Sequence, residues 1–523
     1  MARAPGYDGV GATAAALRPH LLYFASADAP ALQRELAWHA QALETSVAWR
    51  EYWQRHVVPQ GSAYLWLHGA DGAARDLSLF AVPLVFTHAA LARDELALNM
   101  MMTHAADHRI AYAFQGHGVL DDALGLHARP SDLTLFLLWS LGEYLGATGD
   151  LAFLDAPMPY HPVEADPGAT VWDHLVAAVR YLVDRVGLGP HGLVRIGDGD
   201  WNDGIVLAAA DHDLAVADGE SVPNTQMAIA VLPRVAELVA PRDPALASEL
   251  VAYVAALRAA LPVAWTGSFF GRAFFGDGVL HHADRIDLEA QVWALVGDTF
   301  ASPAERDALV AAVASELDDP SPAGATLVPG GEVWPAVSAL LTWGYARSDP
   351  TRAWRHLLRN TLAAHADAYP DLWYGIWSGP DGLAGPGGAR PGEAWYSPVT
   401  PMTDFPTMNN NQHALPLLAA LRVAGVEATA AGLLVTPRVP ERTLSLRTEL
   451  VDLSERPDHV EGSYRPRGGA DRVLEVAAPP GRVVVAASVA GVAVPVPASA
   501  ARVSLPAPAG LTTTFAVDFA PAP

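Results

Sequence analysis

Helical periodicity recurs about a dozen times between residues 30 and 425, and this repetition constrains the fold more than any other feature of the chain. In the stretch 31–56, Leu32, Leu36 and Leu43 follow one another at spacings of four and seven, with charged residues between them. Glycine, proline, aspartate or serine bounds each such stretch, as expected where helices start and stop. About a dozen helices joined by loops of unequal length predict a helical bundle or an α/α toroid.

The pattern changes after Gly425, where short β-branched segments alternate with proline and glycine turns. This spacing predicts a small, two-layered C-terminal β domain at residues 426–523. The helical stretches assign residues 30–425 to one large domain and leave residues 1–29 as an N-terminal extension. A chain of 523 residues suits such a division into a large and a smaller domain.

The composition excludes several classes of partner. The formal net charge is −24, from 33 basic and 57 acidic residues, and the sequence has no basic run. Nucleic acids and anionic membrane surfaces are therefore poor candidates, whereas an uncharged substrate such as a sugar is compatible with this charge. The apolar stretch Val483–Ala501 contains Gly491 and Pro495, which indicates strands and turns rather than a membrane span. The chain has no cysteine, and residues 1–30 show no signal-peptide pattern, so we expect a cytoplasmic protein without disulfides.

The ten residues from Arg195 to Gly204 carry the strongest chemical signal. They combine three aspartates, Trp201, Asn202 and three glycines in one turn-prone stretch. A tryptophan ring stacks on the C–H faces of a sugar, amides and carboxylates bind hydroxyl groups, and an acid can protonate a glycosidic oxygen. This combination predicts a sugar site with acid chemistry.

Two other interpretations of this stretch explain less. The spacing of Asp198, Asp200 and Asn202 imitates the start of an EF-hand calcium loop. The glycine at the sixth position of such a loop is Asp203 here, however, and the acid at the twelfth position is Ala209. A helix-capping loop would account for one or two of the acids and leave the tryptophan unexplained.

Nineteen histidines raise the question of a metal. Only His104 and His108 stand at helical spacing beside an acid, Asp107, and no third ligand stands out near them in sequence. The chain also lacks a P-loop and a dinucleotide-binding fingerprint after a strand. We therefore expect neither a metal nor a cofactor.

The segment 199–204 resembles the hallmark motif of glycoside hydrolase family 94, a family of inverting phosphorylases. The resemblance implies that Asp203 is the general acid. It also implies that Asp200, Trp201 and Asn202 hold the sugar.

Other segments between about residues 30 and 460 resemble the same family. Arg75 and Asp76 resemble an Arg-Asp pair that binds the glycosyl unit in subsite −1, and the stretch 285–293 resembles a further part of the barrel. The resemblance implies an (α/α)6 barrel with its catalytic loops on one face, followed by the β domain. It makes Asp287, within the second segment, a candidate for substrate binding.

One stretch departs from the family pattern. Where the family places a phosphate-binding histidine after a Gly-Gly turn, this chain has Trp334 and Pro335, and it adds Glu332. A carboxylate at that place would repel a phosphate dianion. Water is then the expected nucleophile, and an inverting hydrolase needs a second carboxylate as general base.

The long aromatic loop at 373–396 offers such a base. Glu393 lies in this loop, shortly before the last predicted helix, which resembles the position of the base in related barrel hydrolases. Glu332 is the second candidate, followed by Asp381 and Asp404. Three tryptophans of the loop are predicted to be sugar platforms: Trp373, Trp377 and Trp395.

The sequence therefore predicts an inverting glycoside hydrolase that cleaves a β-linked oligosaccharide, with Asp203 as acid and Glu393 as base. The alternative is an inverting phosphorylase that releases a sugar 1-phosphate, with the anion held by Arg390, Asn411 and His413. A non-catalytic sugar-binding protein is the third hypothesis. The identity of the sugar, the linkage and the oligomeric state stay open.

Overall fold

The computed structural model describes residues 11–61, 71–122, 129–165, 168–372, 379–394, 408–439 and 442–523. Within these ranges, twelve helices of nine or more residues follow one another. They are α1 (Pro30–Ser46), α2 (Ala74–Thr87), α3 (Ala89–Met101), α4 (Leu133–Thr148), α5 (Val171–Arg180), α6 (Val222–Val239), α7 (Pro244–Ala260), α8 (Glu289–Gly297), α9 (Pro303–Val313), α10 (Pro335–Ser348), α11 (Pro350–Arg359) and α12 (Asn411–Val423).

The even-numbered helices form a closed ring. Each packs against the next, from α2 to α12 in order, and α12 packs back on α2. Every residue of α2, α4 and α12 is buried, as expected of apolar helices with neighbours on all sides. The odd-numbered helices pack on the outside of this ring, so the helical domain predicted from periodicity is confirmed.

Large side chains fill the interior of the ring. Trp139 of α4 stacks at 6.0 Å on Trp343 of α10, although these two helices are not neighbours, and Trp293 of α8 packs edge-on against Trp139 at 5.2 Å. One turn further on, Arg422 of α12 donates to Glu143 of α4 over 2.5 Å, with both side chains fully buried. The tryptophans lie near the middle of their helices and Arg422 near the C-terminal end of α12, so these contacts fill the interior from the middle towards that end.

The N-terminal ends of the ring helices meet at the opposite end. Arg75 at the start of α2 contacts Asp132, which precedes α4, and Asn411 at the start of α12 contacts Asp76. Two small three-stranded sheets border this end, with strands Gly72–Ala73, Ala113–Phe114 and Leu120–Asp121 in one and Glu220–Ser221, Ala273–Phe274 and Leu280–His281 in the other. The loops that carry most of the predicted site residues therefore converge on one face.

The chain after the last helix is built of strands, which confirms the predicted change of pattern after Gly425. A four-stranded sheet contains Val426–Thr429, Gly432–Val435, Arg472–Ala477 and Arg502–Ala507. A seven-stranded sheet contains, in spatial order, Tyr23–Ser26, Leu444–Arg447, Val451–Arg456, His459–Tyr464, Thr513–Pro521, Arg482–Val489 and Val492–Val494. The apolar stretch at 483–501 thus contributes two strands and their turns.

The first strand of the larger sheet comes from the N-terminal segment. Tyr23–Ser26 pairs antiparallel with Leu444–Arg447, and Phe24 is fully buried. Sequence analysis placed these residues in an extension because a lone short strand carries no signal of its distant partner. The segment instead ties the start of the chain to the C-terminal strands.

Within the described ranges, one outer helix has the length and composition of a membrane span. The segment Pro244–Ala264, which contains α7, has a mean hydropathy of 1.5 in its most apolar window, of which 39% is buried. Its inner face packs against α6 of the ring, as expected of an outer helix in a helical domain.

Candidate active site

Asp203 lies in the loop that precedes the short 3-10 turn Ile205–Ala208. One carboxylate oxygen accepts a hydrogen bond from Arg75 Nη1 at 3.1 Å, and the other accepts one from the Tyr112 hydroxyl at 2.9 Å. The side chain is nevertheless 32% exposed. Asp203 is therefore oriented at both oxygens and still accessible to a ligand.

Arg75 connects Asp203 to the ring. Its Nε and Nη2 donate to the two oxygens of Asp132 at 2.9 and 3.2 Å, and Nη2 also donates to the Asp200 carbonyl at 3.0 Å. Burial opposes the charge on Arg75, but the carboxylates of Asp132 and Asp203 raise its pKa well above the usual value. The guanidinium is thus a permanent cation shared by two acids.

A second arginine holds the loop at residues 198–204 from its buried side. Arg272 makes a bidentate contact with Asp200 at 2.6 and 2.8 Å and also donates to Glu289 at 3.0 and 3.2 Å. The Ser221 hydroxyl donates to Asp200 at 2.7 Å. The Asp200 side chain is fully buried, so in this structure its carboxylate orients the loop and does not face the surface.

Glu289 is a buried acid of this cluster whose pKa is raised. Burial raises its pKa to about 8, the charges on Asp287 and Asp200 act in the same direction, and Arg272 opposes them. Asp287 is also buried, and its carboxylate accepts from the Glu289 backbone N–H at 3.1 Å. Asp287, predicted to bind substrate, therefore lies beneath the loop as part of its support.

Asp76 joins the first and last helices of the ring. One carboxylate oxygen accepts from the side-chain amides of Asn409 at 3.0 Å and Asn411 at 2.7 Å. Burial raises the pKa of Asp76 to about 6, and the nearby charge on Asp203 adds to this effect. The side-chain amide of Asn411, a candidate phosphate ligand, therefore already donates a hydrogen bond to Asp76.

His413, the other α12 candidate for holding phosphate, faces outward from the ring. Its Nδ1 lies 2.9 Å from Nδ1 of His39 on the outer helix α1. His39 is in turn next to Glu35, with Nε2 at 3.4 Å from the carboxylate. His413 is 3% exposed, so its place in the fold is that of a packed residue between two helices.

Trp201 and Asn202 lie between the buried pair Arg272 and Glu289 and the protein surface. The Trp201 ring is half-buried and packs edge-on against Phe136, with centroids 5.5 Å apart. The Asn202 amide donates to Glu289 at 3.5 Å, and its oxygen accepts from the Gly204 backbone N–H. Both residues therefore remain partly accessible beside Asp203.

The two predicted bases lie in neighbouring loops. Glu393 is paired with Arg390 at 2.6 Å, and Glu332 is exposed after the Gly-Gly turn. The backbones of these loops are hydrogen-bonded through Gly387 and Gly330. In the described part of the chain, neither carboxylate bonds to any residue of the Asp203 cluster. The predicted platforms Trp373, Trp377 and Trp395, and the acid Asp404, lie outside the described residues.

The predicted absence of a metal at His104 and His108 rested on the lack of a third ligand. In the structure the two histidines diverge: His104 Nε2 contacts Asp122 at 3.1 Å, whereas His108 stacks on Tyr160. Sequence reasoning did not single out Tyr112, Arg272 or Glu289 as site residues. Arg272 lies in the segment 272–275 and Glu289 in the segment 285–293, both of which resemble the family, whereas Tyr112 had no signal in its local pattern.

Part of the chain matches the model of a known protein family. Residues 111–327 match the model of the "Glycosyl hydrolase 94 superfamily, catalytic domain", so the chain is similar to glycosyl hydrolase 94 proteins. The matched region contains Asp203, Tyr112, Arg272 and Glu289 and ends before Glu332.

Two phosphorylases are similar in sequence to part of the chain. The chain is 33% identical over 199 residues to solabiose phosphorylase from Paenibacillus borealis, a match that covers 36% of this chain and 24% of that protein. It is 28% identical over 200 residues to 3-O-β-D-glucopyranosyl-β-D-glucuronide phosphorylase from the same organism, with the same coverage. The chain thus spans about a quarter of the length of these curated relatives.

Solved structures agree with the fold alone. The structure named "Glycosidase Wild Type" has a TM-score of 0.51 at 16% identity, over 75% of this chain and 98% of that one. An α-L-rhamnosidase from Dictyoglumus thermophilum has a TM-score of 0.51 at 9% identity, over 95% of this chain and 50% of that one. At these identities both matches bear on the fold and not on the activity.

Proposed function

We propose that this protein is an inverting glycoside phosphorylase that acts on a β-linked oligosaccharide, with Asp203 as its general acid. The observation that carries the proposal is that, among the described residues of the Asp203 cluster, one carboxylate is accessible. Asp203 is 32% exposed, whereas the side chains of the surrounding acids are 6% exposed or less: Asp76, Asp132, Asp200, Asp287 and Glu289. One accessible acid is what an inverting phosphorylase needs, because phosphate itself is the nucleophile.

In the proposed reaction, a phosphate oxygen attacks the anomeric carbon while Asp203 gives its proton to the departing glycosidic oxygen. The C–O bond to the leaving sugar breaks as the bond to phosphate forms, so a β-linked substrate yields an α-sugar 1-phosphate. Asp132 and Asp203 share the single guanidinium of Arg75. A proton on Asp203 leaves this group of three neutral overall, which supports its role as a proton donor.

The position of Glu332 removes the main argument for hydrolysis. Sequence analysis favoured water as the nucleophile because a carboxylate in the anion site would repel phosphate. The Glu332 side chain is exposed to solvent, where its charge is screened, and Glu393 is neutralised by Arg390. The similarity to two phosphorylases supports the same choice.

We further propose that the closed ring of even-numbered helices and its outer layer form an (α/α)6 barrel over about residues 30–425. Six inner and six outer helices alternate along the chain, which supports this assignment. Because tryptophans fill the middle of the ring interior and the Arg422–Glu143 pair lies beyond them on the C-terminal side, substrate would enter at the N-terminal side. Trp201 and Asn202, which are partly accessible, would contact the sugar there.

A panel of β-linked disaccharides, incubated with and without phosphate, tests the proposal. We expect a sugar 1-phosphate, detected by ³¹P NMR, that forms only when phosphate is present. Release of free sugar at the same rate without phosphate would identify a hydrolase, with Glu393 as the first base to test. Sugar binding by calorimetry without turnover would instead favour a binding protein.

A further inference from the structure

An open cleft lies beside the small three-stranded sheet that contains Gly72–Ala73. Its volume is about 690 Å³, which lies in the range of about 300–1,000 Å³ that small-molecule sites occupy. One side of the cleft is a hairpin of the strands Ala48–Arg50 and Arg55–Val57. Asp71 and Gly116 line the other side. The cleft is therefore large enough for a small ligand, and the reaction proposed above makes no use of it.

Trp49 supplies the apolar surface of this cleft. The residue is 45% exposed, although two contacts fix its ring. Its Nε1 donates to the Glu51 carboxylate at 2.7 Å, and the ring packs edge-on with His56, with centroids 4.9 Å apart. An indole that is both fixed and exposed offers a flat apolar surface on which the C–H face of a sugar ring can stack.

The polar part of the cleft is the ion pair of Arg50 and Asp71. Arg50 Nη2 donates to Oδ1 of Asp71, whose side chain is only 7% exposed. The other carboxylate oxygen, Oδ2, accepts no hydrogen bond from any residue that the structure describes. Because a nearly buried acceptor without a donor is costly, a ligand hydroxyl that donates to Oδ2 binds favourably.

Gly116 leaves this ion pair uncovered. A Cβ atom at position 116 would lie 2.8 Å from Oδ2 of Asp71 and 2.6 Å from Cδ of Arg50. Both distances are shorter than van der Waals contact, so a larger residue would displace the pair or cover the free oxygen. The missing side chain thus keeps room for a ligand above the pair.

The charges in the cleft favour an uncharged ligand. Asp71 compensates the charge of Arg50, and Glu51 adds a second carboxylate beside Trp49. An anion would therefore meet two carboxylates and one guanidinium. Sugar hydroxyls carry no charge and can both donate to a carboxylate and accept from a guanidinium, so a sugar fits this set of groups.

The cleft lies close to the Asp203 site. Asp71 is four residues before Arg75, and Gly116 is four residues after Tyr112. At about 3.3 Å per residue, each stands within about 13 Å of a residue that contacts Asp203. A sugar chain that is bound at Asp203 and extended by a few units can span this distance.

We propose that this cleft is an accessory subsite, which binds one sugar unit of a longer substrate at a distance from the bond that breaks. Trp49 stacks on this unit, and Asp71 and Arg50 bind its hydroxyl groups. The inference rests on the proposed function, because it takes the same oligosaccharide as its ligand. Longer chains are then bound more tightly than disaccharides.

Titration calorimetry in the Asp203→Asn background, in which the substrate bond stays intact, measures this binding. The probes are β-1,3- and β-1,4-linked gluco-oligosaccharides from disaccharide to pentasaccharide. We expect the affinity to rise about tenfold with chain length, and Trp49→Ala to remove the rise with the disaccharide affinity unchanged. Trp172→Ala is the matched control: Trp172 is partly exposed on the outer helix α5, beside Arg242, and its loss should change no affinity.

A second variant and a rate measurement keep the test independent of the folding of Trp49→Ala. Asp71→Asn preserves the size of the side chain and weakens the acceptor, so it should reduce the same rise, with the fold checked by circular dichroism. With Asp203 intact, Trp49→Ala should lower kcat/KM for the pentasaccharide and leave the disaccharide value unchanged.

Two results would overturn the subsite. One is a parent protein that binds none of the probes, or binds disaccharide and pentasaccharide equally. The other is a rise with chain length that persists in both Trp49→Ala and Asp71→Asn. Failure of the proposed function looks different: no chain yields a sugar 1-phosphate, while the calorimetric comparison still decides whether the cleft binds sugar.

Discussion

Replacing Glu289 with glutamine should change how the stability of this protein depends on pH. The Glu289 carboxyl is buried beside Asp200 and Asp287, and its pKa is raised from 4.5 to about 8. Arg272 cannot neutralise every acid around it, because Asp200 already takes a bidentate contact from the same guanidinium. The folded protein therefore keeps a proton on Glu289 at pH values where the unfolded chain has lost it.

The sign and size of the effect follow from these two pKa values. Between them the folded state binds one more proton than the unfolded state, so the free energy of unfolding falls as the pH rises. The slope is about 1.4 kcal/mol per pH unit, and the loss stops above the folded-state pKa. From about pH 5 to pH 8 the contribution of Glu289 falls by about 4 kcal/mol. Glutamine has no titrating proton, so Glu289→Gln removes this loss.

Urea unfolding of the parent and the variant, followed by circular dichroism across this pH range, measures the effect. The difference between the two proteins cancels the titration of all other groups. We expect it to shift in favour of Glu289→Gln with rising pH. Glu427→Gln is the matched control: Arg347 holds the pKa of this buried acid well below its usual value, so its difference should be flat above about pH 5. A flat difference for Glu289→Gln would refute the reasoning.

Two further substitutions test the support of the site. Arg272→Met leaves Asp200 as an uncompensated buried charge and should cost about 3–5 kcal/mol in the free energy of unfolding, measured with urea; a loss below about 1 kcal/mol would contradict the structure. Tyr112→Phe removes one of the two hydrogen bonds that orient Asp203, so we expect kcat to fall about tenfold with KM little changed. Initial rates on the disaccharide identified by the panel would show this, and an unchanged kcat would mean that Tyr112 does not orient the acid.

The helical part of the fold could be predicted from the sequence because each ring helix is a local pattern. Periodicity and bounding residues alone locate a helix such as α12. The strand Tyr23–Ser26 could not be predicted in the same way. Its partner lies more than 400 residues away at Leu444–Arg447, and four residues of alternating burial are too short a signal.

The candidate site could also be predicted only where its signal is local in sequence. Local chemistry in one loop indicated a sugar site with an acid, and the family resemblance selected Asp203, which is the accessible acid of the cluster. The contacts that position it are distant in sequence: 128 residues separate Arg75 from Asp203, and 91 separate Tyr112 from it. Asp200 carries the same local signal as Asp203, yet the structure buries it against Arg272. Composition and spacing alone do not reveal which acid of a motif faces a ligand and which one faces the core.

The central claim is that phosphate attacks the sugar while Asp203 supplies the proton. The most direct test is a ³¹P NMR time course of β-disaccharide and phosphate with the parent protein, with Asp203→Asn and with Asp213→Asn, an exposed acid outside the cluster, as control. We predict an α-sugar 1-phosphate from the parent and from Asp213→Asn, and a loss of at least about a thousandfold in the rate for Asp203→Asn. Sugar 1-phosphate formation by Asp203→Asn within about tenfold of the parent rate, or free sugar as the parent's only product, would contradict the account.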